Sequence, residues 1–504
     1  YVNGQSSSEI YKKIQKLNTL GSVLYVAAHP DDENTRLISL FSNQYNYNTA
    51  YLSMTRGDGG QNLIGTELRE SLGLIRTQEL LEARKIDGGQ QLFTTTNDFG
   101  YSKHSDETLE IWNKNEILAQ IVFRIRTFKP DIIINRFDHR TPGSTHGHHS
   151  SSAILSEIAF SLAANPKAYP EQLNDVAIWQ SARQFYNTSW WAYGSREKFK
   201  NADKSNMITL ESNPINNLLG RSNAEIASKS RSQHKSQGFG SSPDLGSQEE
   251  YLELINGSIP NKNNPFQGID TSWTRVKGGK AIGLLIEEIL DDFNFEKPYK
   301  SIQQLLKIHS KIKALKPGHW RTVKLKEVTN LVKYCLGLRL QFNTSKPTGV
   351  ANTLTEITLK ALNPSPIKVS IEKIVGAVNL DIKQSLSENK AWQESRSILL
   401  PKAKTTPYWL TEKGDIGNYK VSNPDLKGLA ETPNPIQAIF KLNIDGNIFF
   451  INAPLTFRST DRVKGEVVEN FQLVPKITTQ INERVILFKE NTPKKVSLIV
   501  TSHT

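Results

Sequence analysis

The sequence predicts an α/β fold, a parallel sheet with flanking helices, followed by a helical segment and a C-terminal β-sandwich. Three observations carry this reading. Short apolar runs at 23–28, 49–54 and 130–135 alternate with stretches of helical apolar spacing, the order that a parallel sheet produces. The polar residues after these runs fall at strand-to-helix turns, the carboxyl edge at which open α/β sheets bind ligands. From Phe342 onward, short alternating runs punctuated by turn residues take over, the pattern of a β-sandwich of roughly 130 residues.

The first element is a helix over 8–17, with Ile10, Tyr11, Ile14 and Leu17 on one face behind serine caps. The run 23–28 is rich in β-branched and aromatic residues and reads as a strand buried on both faces. It gives way to His29, Pro30, Asp31, Asp32 and Glu33, after which Leu37, Ile38, Leu40 and Phe41 resume helical spacing. An imidazole and a carboxylate three residues apart, with proline fixing the backbone between them, can address one ion while the intervening Asp31 stays available as a base. Helix capping accounts for one or two acids at such a turn, not for a histidine and three successive acids.

The second strand, 49–54, runs into a glycine-rich loop at 55–62 that has the spacing of neither a P-loop nor a dinucleotide fingerprint. A long helix is expected over 66–86, with Leu68, Leu72, Ile75, Leu80 and Ala83 inward and Gly88-Gly89 as its stop. It carries Arg76 and Glu79, for which a surface ion pair is one of two equally weighted readings, the other being a place beside the ligand. A helix over 115–128 and a buried strand over 130–135 follow; the strand exit carries Arg136, Asp138 and His139, and then Thr145, His146, Gly147, His148, His149 and Ser150 precede a helix over 152–164. The cluster His146, His148 and His149 is the natural source of a third ligand. With His29 and Asp32 it makes two imidazoles and one carboxylate with room for water, the arrangement of catalytic zinc sites.

Further on, helical spacing returns at 281–292, 302–315 and 323–338, a small bundle expected to pack on the first domain. Alternating runs such as those at 354–361, 367–372 and 438–444 belong to the sandwich, and 480–501 resembles the opening strands of another β unit. The expected domains are therefore an α/β domain at 1–245, a mostly helical extension at 246–340, a β-sandwich at 341–475, and the start of a further β unit or tail at 476–504. A chain ending near Leu340 is expected to keep the chemistry of the first domain.

Composition narrows the rest. A length of 504 residues calls for two to four domains. Cys335 is the single cysteine, which excludes an intrachain disulfide framework and a cysteine-based metal site, so any ligands are His, Asp or Glu. The net charge of +12 is scattered without a basic run, and nucleic acid is not expected as a partner. No apolar run approaches the roughly 18 residues of a membrane span. The chain opens on Tyr1 in place of methionine, as a trimmed or processed chain does, and a periplasmic or extracellular setting is the expectation.

Residues 28–33 read Ala-His-Pro-Asp-Asp-Glu, and here the chain resembles the LmbE-like, or PIG-L, family of metal-dependent de-N-acetylases. The resemblance covers about 22–240. It implies a Rossmann-like fold and removal of the acetyl group of an N-acetylated sugar, usually an N-acetylglucosamine unit. It implies that His29 and Asp32 hold the metal, that Asp31 is the general base, and that the second histidine of a His-x-x-His element, His149, is the third ligand. His146 would stabilise the oxyanion or protonate the leaving amine. The family's Arg-x-x-Glu pair and Asp-x-Gly turn, here Arg76, Glu79 and Asp98-Phe99-Gly100, lie near the sugar, and its His-x-Ser/Thr-Gln element matches His234 to Gln237. Where the family commonly has Pro-Asp between the two histidines, Gly147 and His148 stand here, and Asp138 is a possible replacement for that aspartate. The implied cofactor is one divalent ion, Zn2+ by default, with Fe2+, Mn2+ or Co2+ compatible with the same donors. It would acidify a water whose proton Asp31 removes. Two rival readings are a metal-dependent hydrolase of another amide or ester, and a glycan-binding cell-surface protein with a relic catalytic domain. Intact Asp31, Asp32, His146 and His149 argue against the relic.

Overall fold

The computed structural model describes residues 4–261, 263–403, 405–483 and 485–503. Contacts group the chain into two units. The α/β unit is Asn18–Gly283 together with Tyr408–Glu431; the second unit holds Leu284–Pro407, the chain from Thr432 onward, and the N-terminal helix. This division differs from the expected boundaries in two places. The helices after residue 284 group with the β strands rather than with the first domain, and 24 residues from inside the expected sandwich, 408–431, belong to the α/β unit.

Seven strands build the sheet of the α/β unit: β1 Ser22–Ala27, β2 Asn48–Ser53, β3 Gln90–Phe93, β4 Ile132–Asn135, β5 Arg183–Thr188, β6 Met207–Glu211 and β7 Glu249–Asn256. Their spatial order is β3-β2-β1-β4-β5-β7-β6. The first five are parallel; β7 pairs antiparallel with both β5 and β6. β7 falls inside the segment expected to be helical. Leu252 and Leu254 are a weak period-2 signal, and its pairing partners lie far back in the chain.

All six residues of β1 are buried, and its side chains alternate between two cores. Val23, Tyr25 and Ala27 join Leu37, Phe41, Leu80, Ile132, Ile134 and Phe185 on one face. Leu24 and Val26 join Ile121, Ile125, Ile133, Leu155 and Ala159 on the other. Each Val, Leu, Ile or Phe among them contributes about 1.5–3 kcal/mol on burial, so the central strand is fixed from both sides. The chain runs outward from β1 through β2 to β3, then crosses back to β4 on the other side of β1. That makes the β1/β4 crevice the topological switch point, where α/β sheets bind their ligands.

Two helices differ from expectation in ways that matter for the site. The helix expected over 66–86 is Glu70–Asp87, because Arg69 has φ 54° and cannot continue a right-handed helix; Leu68 is left exposed. The helix expected from 152 begins at Gly147, capped by the His146 side chain, so His148 and His149 lie in its first turn.

In the second unit, Ser7–Leu17, Ile302–Ala314 and His319–Leu336 are helices, the first burying Ile10, Ile14 and Leu17. Among the described residues eight β strands form one curled sheet, and Thr348–Val350 pairs separately with Gln472–Val474. Continuity comes from the 15-residue strand Asn447–Asp461, whose first half pairs with Gln437–Ile444 and whose second half pairs with Arg339–Thr344 and Gly465–Asn470. Leu354–Leu362 alternates buried and exposed residues, one face covered and one solvated. Ile477–Ile481 pairs with Leu498–Ser502, the β pairing expected near the end of the chain.

Candidate metal centre

β1 ends one residue before Ala28, and the chain turns sharply at His29 to Asp32. The Asp32 carboxylate accepts the His29 backbone N–H at 2.7 Å and lies 3.2 Å from His29 Nδ1. The Tyr51 hydroxyl donates to the His29 carbonyl at 2.5 Å, fastening the turn to β2. From the β4 side, the helix Gly147–Ala164 presents His149, whose Nε2 is 3.5 Å from Asp32 Oδ1. Its ring lies flat on Phe137 at 3.9 Å, and Thr145 bonds its Nδ1 at 2.9 Å.

His29, Asp32 and His149 therefore offer ligand atoms within 4.8 Å of one another, the set expected from the sequence; His29, His146 and His148 form a second such group. Asp32 presents Oδ2 3.2 Å from His29 Nδ1 and Oδ1 3.5 Å from His149 Nε2, so its carboxylate lies between the two imidazoles. The first set also carries a negative charge towards the cation, which the second lacks. His148 is placed otherwise: fully buried, stacked on Trp112 at 4.7 Å, with Nδ1 3.0 Å from His29 Nε2. Asp98 stands behind both rings, 3.8 Å from His29 Nε2 and 3.7 Å from His148 Nδ1, the place of a carboxylate that orients a ligand histidine.

Charge follows this geometry. Burial alone raises the Asp32 carboxyl, but His149 and His29 outweigh it and hold it well below the usual range. Burial lowers the His29 imidazole, yet Asp98 and Asp32 bring it above its ordinary value. Burial pushes His149 down to about 4, so it is neutral and able to ligate at pH 7.

Asp31 is turned out of the cluster. It has φ 100°, a left-handed conformation that costs of order 1–3 kcal/mol in a non-glycine residue, and its Oδ2 meets Arg76 Nη2 at 2.7 Å. Burial pushes the carboxyl up to about 6 against the opposing pull of Arg76. Arg76 is 3% exposed and also donates to the carbonyls of Gly57, at 3.1 Å, and Pro30, so it is a buried clamp and not half of a surface pair. Glu79 bonds Ser236 through both carboxylate oxygens at 2.7 Å.

His146, half exposed, accepts the His148 backbone N–H on Nδ1 at 3.0 Å. Its remaining proton is therefore on Nε2, and burial together with His29 lowers its pKa, leaving a neutral hydrogen-bond donor. The backbone thus fixes the tautomer that an aspartate would otherwise set. Asp138 does not stand in for that aspartate: it pairs with Arg140 at 2.8 Å.

Two expected substrate-side residues lie elsewhere. His234 is fully buried and bonds Glu33 at 2.8 Å, so it supports the turn from behind and does not face a ligand. Gln237 donates to the Gln61 carbonyl at 2.7 Å and ties down the loop after β2. Glu33, the third acid of the turn, has a role that its sequence position does not announce. It is buried between His234 and Arg84, 3.1 Å away, and accepts the Asp31 N–H at 2.9 Å; Arg84 continues to Asp87, which accepts from Ser230 at 2.7 Å. An arginine two turns below Arg76 on the same helix was the available signal.

Fold and site define a mostly parallel α/β domain with a His/Asp cluster at its topological switch point that could hold a metal ion. Residues 24–159 match the family model PIG-L: GlcNAc-PI de-N-acetylase, a hydrolase family. No curated protein matches the chain. Among solved structures, N,N′-diacetylchitobiose deacetylase from Pyrococcus horikoshii with its inhibitor MPG is 18% identical, with a TM-score of 0.32 over 44% of this chain and 71% of that one. Alkylpurine DNA glycosylase AlkC from Pseudomonas fluorescens, bound to DNA containing an abasic site analogue, is 8% identical, with a TM-score of 0.13 over 37% of this chain and 55% of that one. Among the described residues no helix is long and apolar enough to cross a membrane.

Proposed function

We propose that the α/β unit removes the acetyl group of an N-acetylated sugar of the N-acetylglucosamine type, using one divalent ion, Zn2+ by default, held by His29, Asp32 and His149. The observation that supports this most is the meeting of those three side chains at the β1/β4 crevice, with Asp31 beside them but turned to Arg76. When bound, the ion supplies Lewis-acid polarisation of the acetamide carbonyl and acidifies an attacking water. Asp31 takes that water's proton, and a carboxyl near 6 is well matched to a base working near neutrality. Arg76 holds Asp31 in place and keeps it ionised. His146 donates its Nε2–H to the oxyanion as the carbonyl carbon becomes tetrahedral. Proton return to the leaving nitrogen from Asp31 gives acetate and a free amine.

The test is an acetate-release screen of the metal-loaded protein against N-acetylglucosamine, its oligomers and its glycosides, with N-acyl amino acids alongside. Release from the sugars is expected. Turnover confined to the amino acid amides would transfer the site to another class of amide, and no turnover of either by metal-loaded protein would overturn the reading.

A further inference from the structure

We infer that Tyr419 is a positioning residue for Asp31, acting through Asp58 and Arg76, and that the segment carrying it, Tyr408–Glu431, is a working part of the catalytic site despite its place in the sequence between two strands of the other sheet. This rests on the proposed role of Asp31.

The segment is built into the α/β unit. It lines the outer edge of β3: Tyr419 N–H donates to Thr95 O at 2.8 Å, Asn97 N–H to Gly417 O at 2.7 Å, and Phe93 N–H to Gly428 O at 3.1 Å. Tyr408, Trp409, Tyr419 and Val421 form a buried cluster of their own. Into it runs Arg56, 1% exposed, which donates to the carbonyls of Leu429 and Ala430 at 3.0 Å and lies 3.3 Å over the Trp409 ring. The same guanidinium donates at 3.1 Å to Thr77, the neighbour of Arg76 on its helix.

From there the path to the base is short. Asp58 is 4% exposed, its Oδ1 accepts from the Tyr419 hydroxyl, and its Oδ2 has no hydrogen-bond partner. It fits against the helix Glu70–Asp87 only because residue 73 is glycine: a Cβ there would be 1.9 Å from Asp58 Oδ1. One residue before it, the Gly57 carbonyl accepts from Arg76 Nη1 at 3.1 Å, and Arg76 Nη2 holds Asp31 at 2.7 Å. A buried carboxylate anchored by a single hydroxyl moves when that hydroxyl is removed, and the loop it sits in sets the position of Arg76. A second connection reaches the metal side: Asn418 donates to the Trp112 carbonyl at 3.0 Å, and the Trp112 ring carries His148.

The experiment compares full-length, metal-loaded wild type with Tyr419→Phe, Asp58→Asn and the double variant. Each single change is expected to lower kcat about ten- to a hundredfold, the scale of a misplaced reacting group, with KM and metal content within about twofold. The double variant is expected to be no worse than the poorer single one, because both act on one path. Hydrogen exchange should quicken at least about tenfold at residues 30–33 and 56–61 in Tyr419→Phe, while β4 stays protected. Unchanged kcat and exchange, multiplying effects in the double variant, or metal loss in Tyr419→Phe would each overturn the inference. If wild type releases no acetate from any substrate, the proposed function fails, and the exchange comparison still decides whether Tyr419 holds the Asp31 turn. Should Tyr419→Phe not fold, Asp58→Asn with the same readouts decides it.

Discussion

Glu33→Gln is expected to destabilise the α/β unit by about 3 kcal/mol while leaving its metal in place. Glu33 is the third acid of the turn, yet its side chain is fully buried and faces away from the cluster, between His234 at 2.8 Å and Arg84 at 3.1 Å. Burial alone would raise its pKa; His234 and Arg84 reverse this and take it from 4.5 down to about 2. Two and a half units at 1.36 kcal/mol each give about 3 kcal/mol at neutral pH, the low end of the cost of breaking a buried ion pair. The low end fits because Arg84 keeps Asp87. In a unit of this size that corresponds to a fall in Tm of about 5 °C. The sign with pH follows from the depressed pKa. The stabilisation is complete above 4.5 and drains away as pH falls from 4.5 towards 2, so the Tm difference between wild type and variant should close over that window. Thermal melts of both proteins from pH 7 to pH 2.5, with metal content by elemental analysis, make the measurement. A Tm difference under about 2 °C at pH 7, or metal loss in Glu33→Gln, would refute the reasoning.

Asp31→Asn should leave metal content unchanged and lower kcat by about 10^2 to 10^4-fold with little change in KM, measured by acetate release; equal metal loss in Asp31→Asn and His149→Ala would make Asp31 a ligand. His149→Ala removes one of three ligands, so metal occupancy should drop and added metal should restore part of the rate, read by titration with Zn2+. A chain ending at Leu340 was expected to keep its chemistry, but it lacks Tyr408–Glu431 and strips Arg56 of its two carbonyl acceptors. It should be open to limited proteolysis and lose cooperative melting, and a protease-resistant, metal-binding product would show the segment to be dispensable.

The sheet's central strands and the meeting of His29, Asp32 and His149 were legible because their signals are local. A buried strand announces itself by composition, and a histidine and an aspartate three residues apart at its end are fixed by one turn. Glu33 was not legible, since nothing nearby distinguishes an acid that faces the site from one that faces Arg84; the partner lies 51 residues away. His234 shows the reverse error: a motif match placed it beside a ligand, whereas burial placed it behind Glu33. Residues 408–431 fell inside the range expected for the sandwich, although Tyr408, Trp409 and Tyr419 lack the alternation of a strand. Only the pairing with Arg56 and Asp58 reveals which core they join.

Arg56 and its acceptor Ala430 are 374 residues apart. During synthesis at about 5–20 residues per second, Arg56 emerges roughly 20–75 s before the carbonyls it will clamp. Through that interval the outer edge of β3 is uncovered and able to pair with a stray strand. The sheet can collapse early around β1 and β4, but its last side closes only after nearly the whole of the chain has followed, so the waiting nascent chain is where holdase chaperones would be needed and where slowed translation or premature termination would be felt as aggregation.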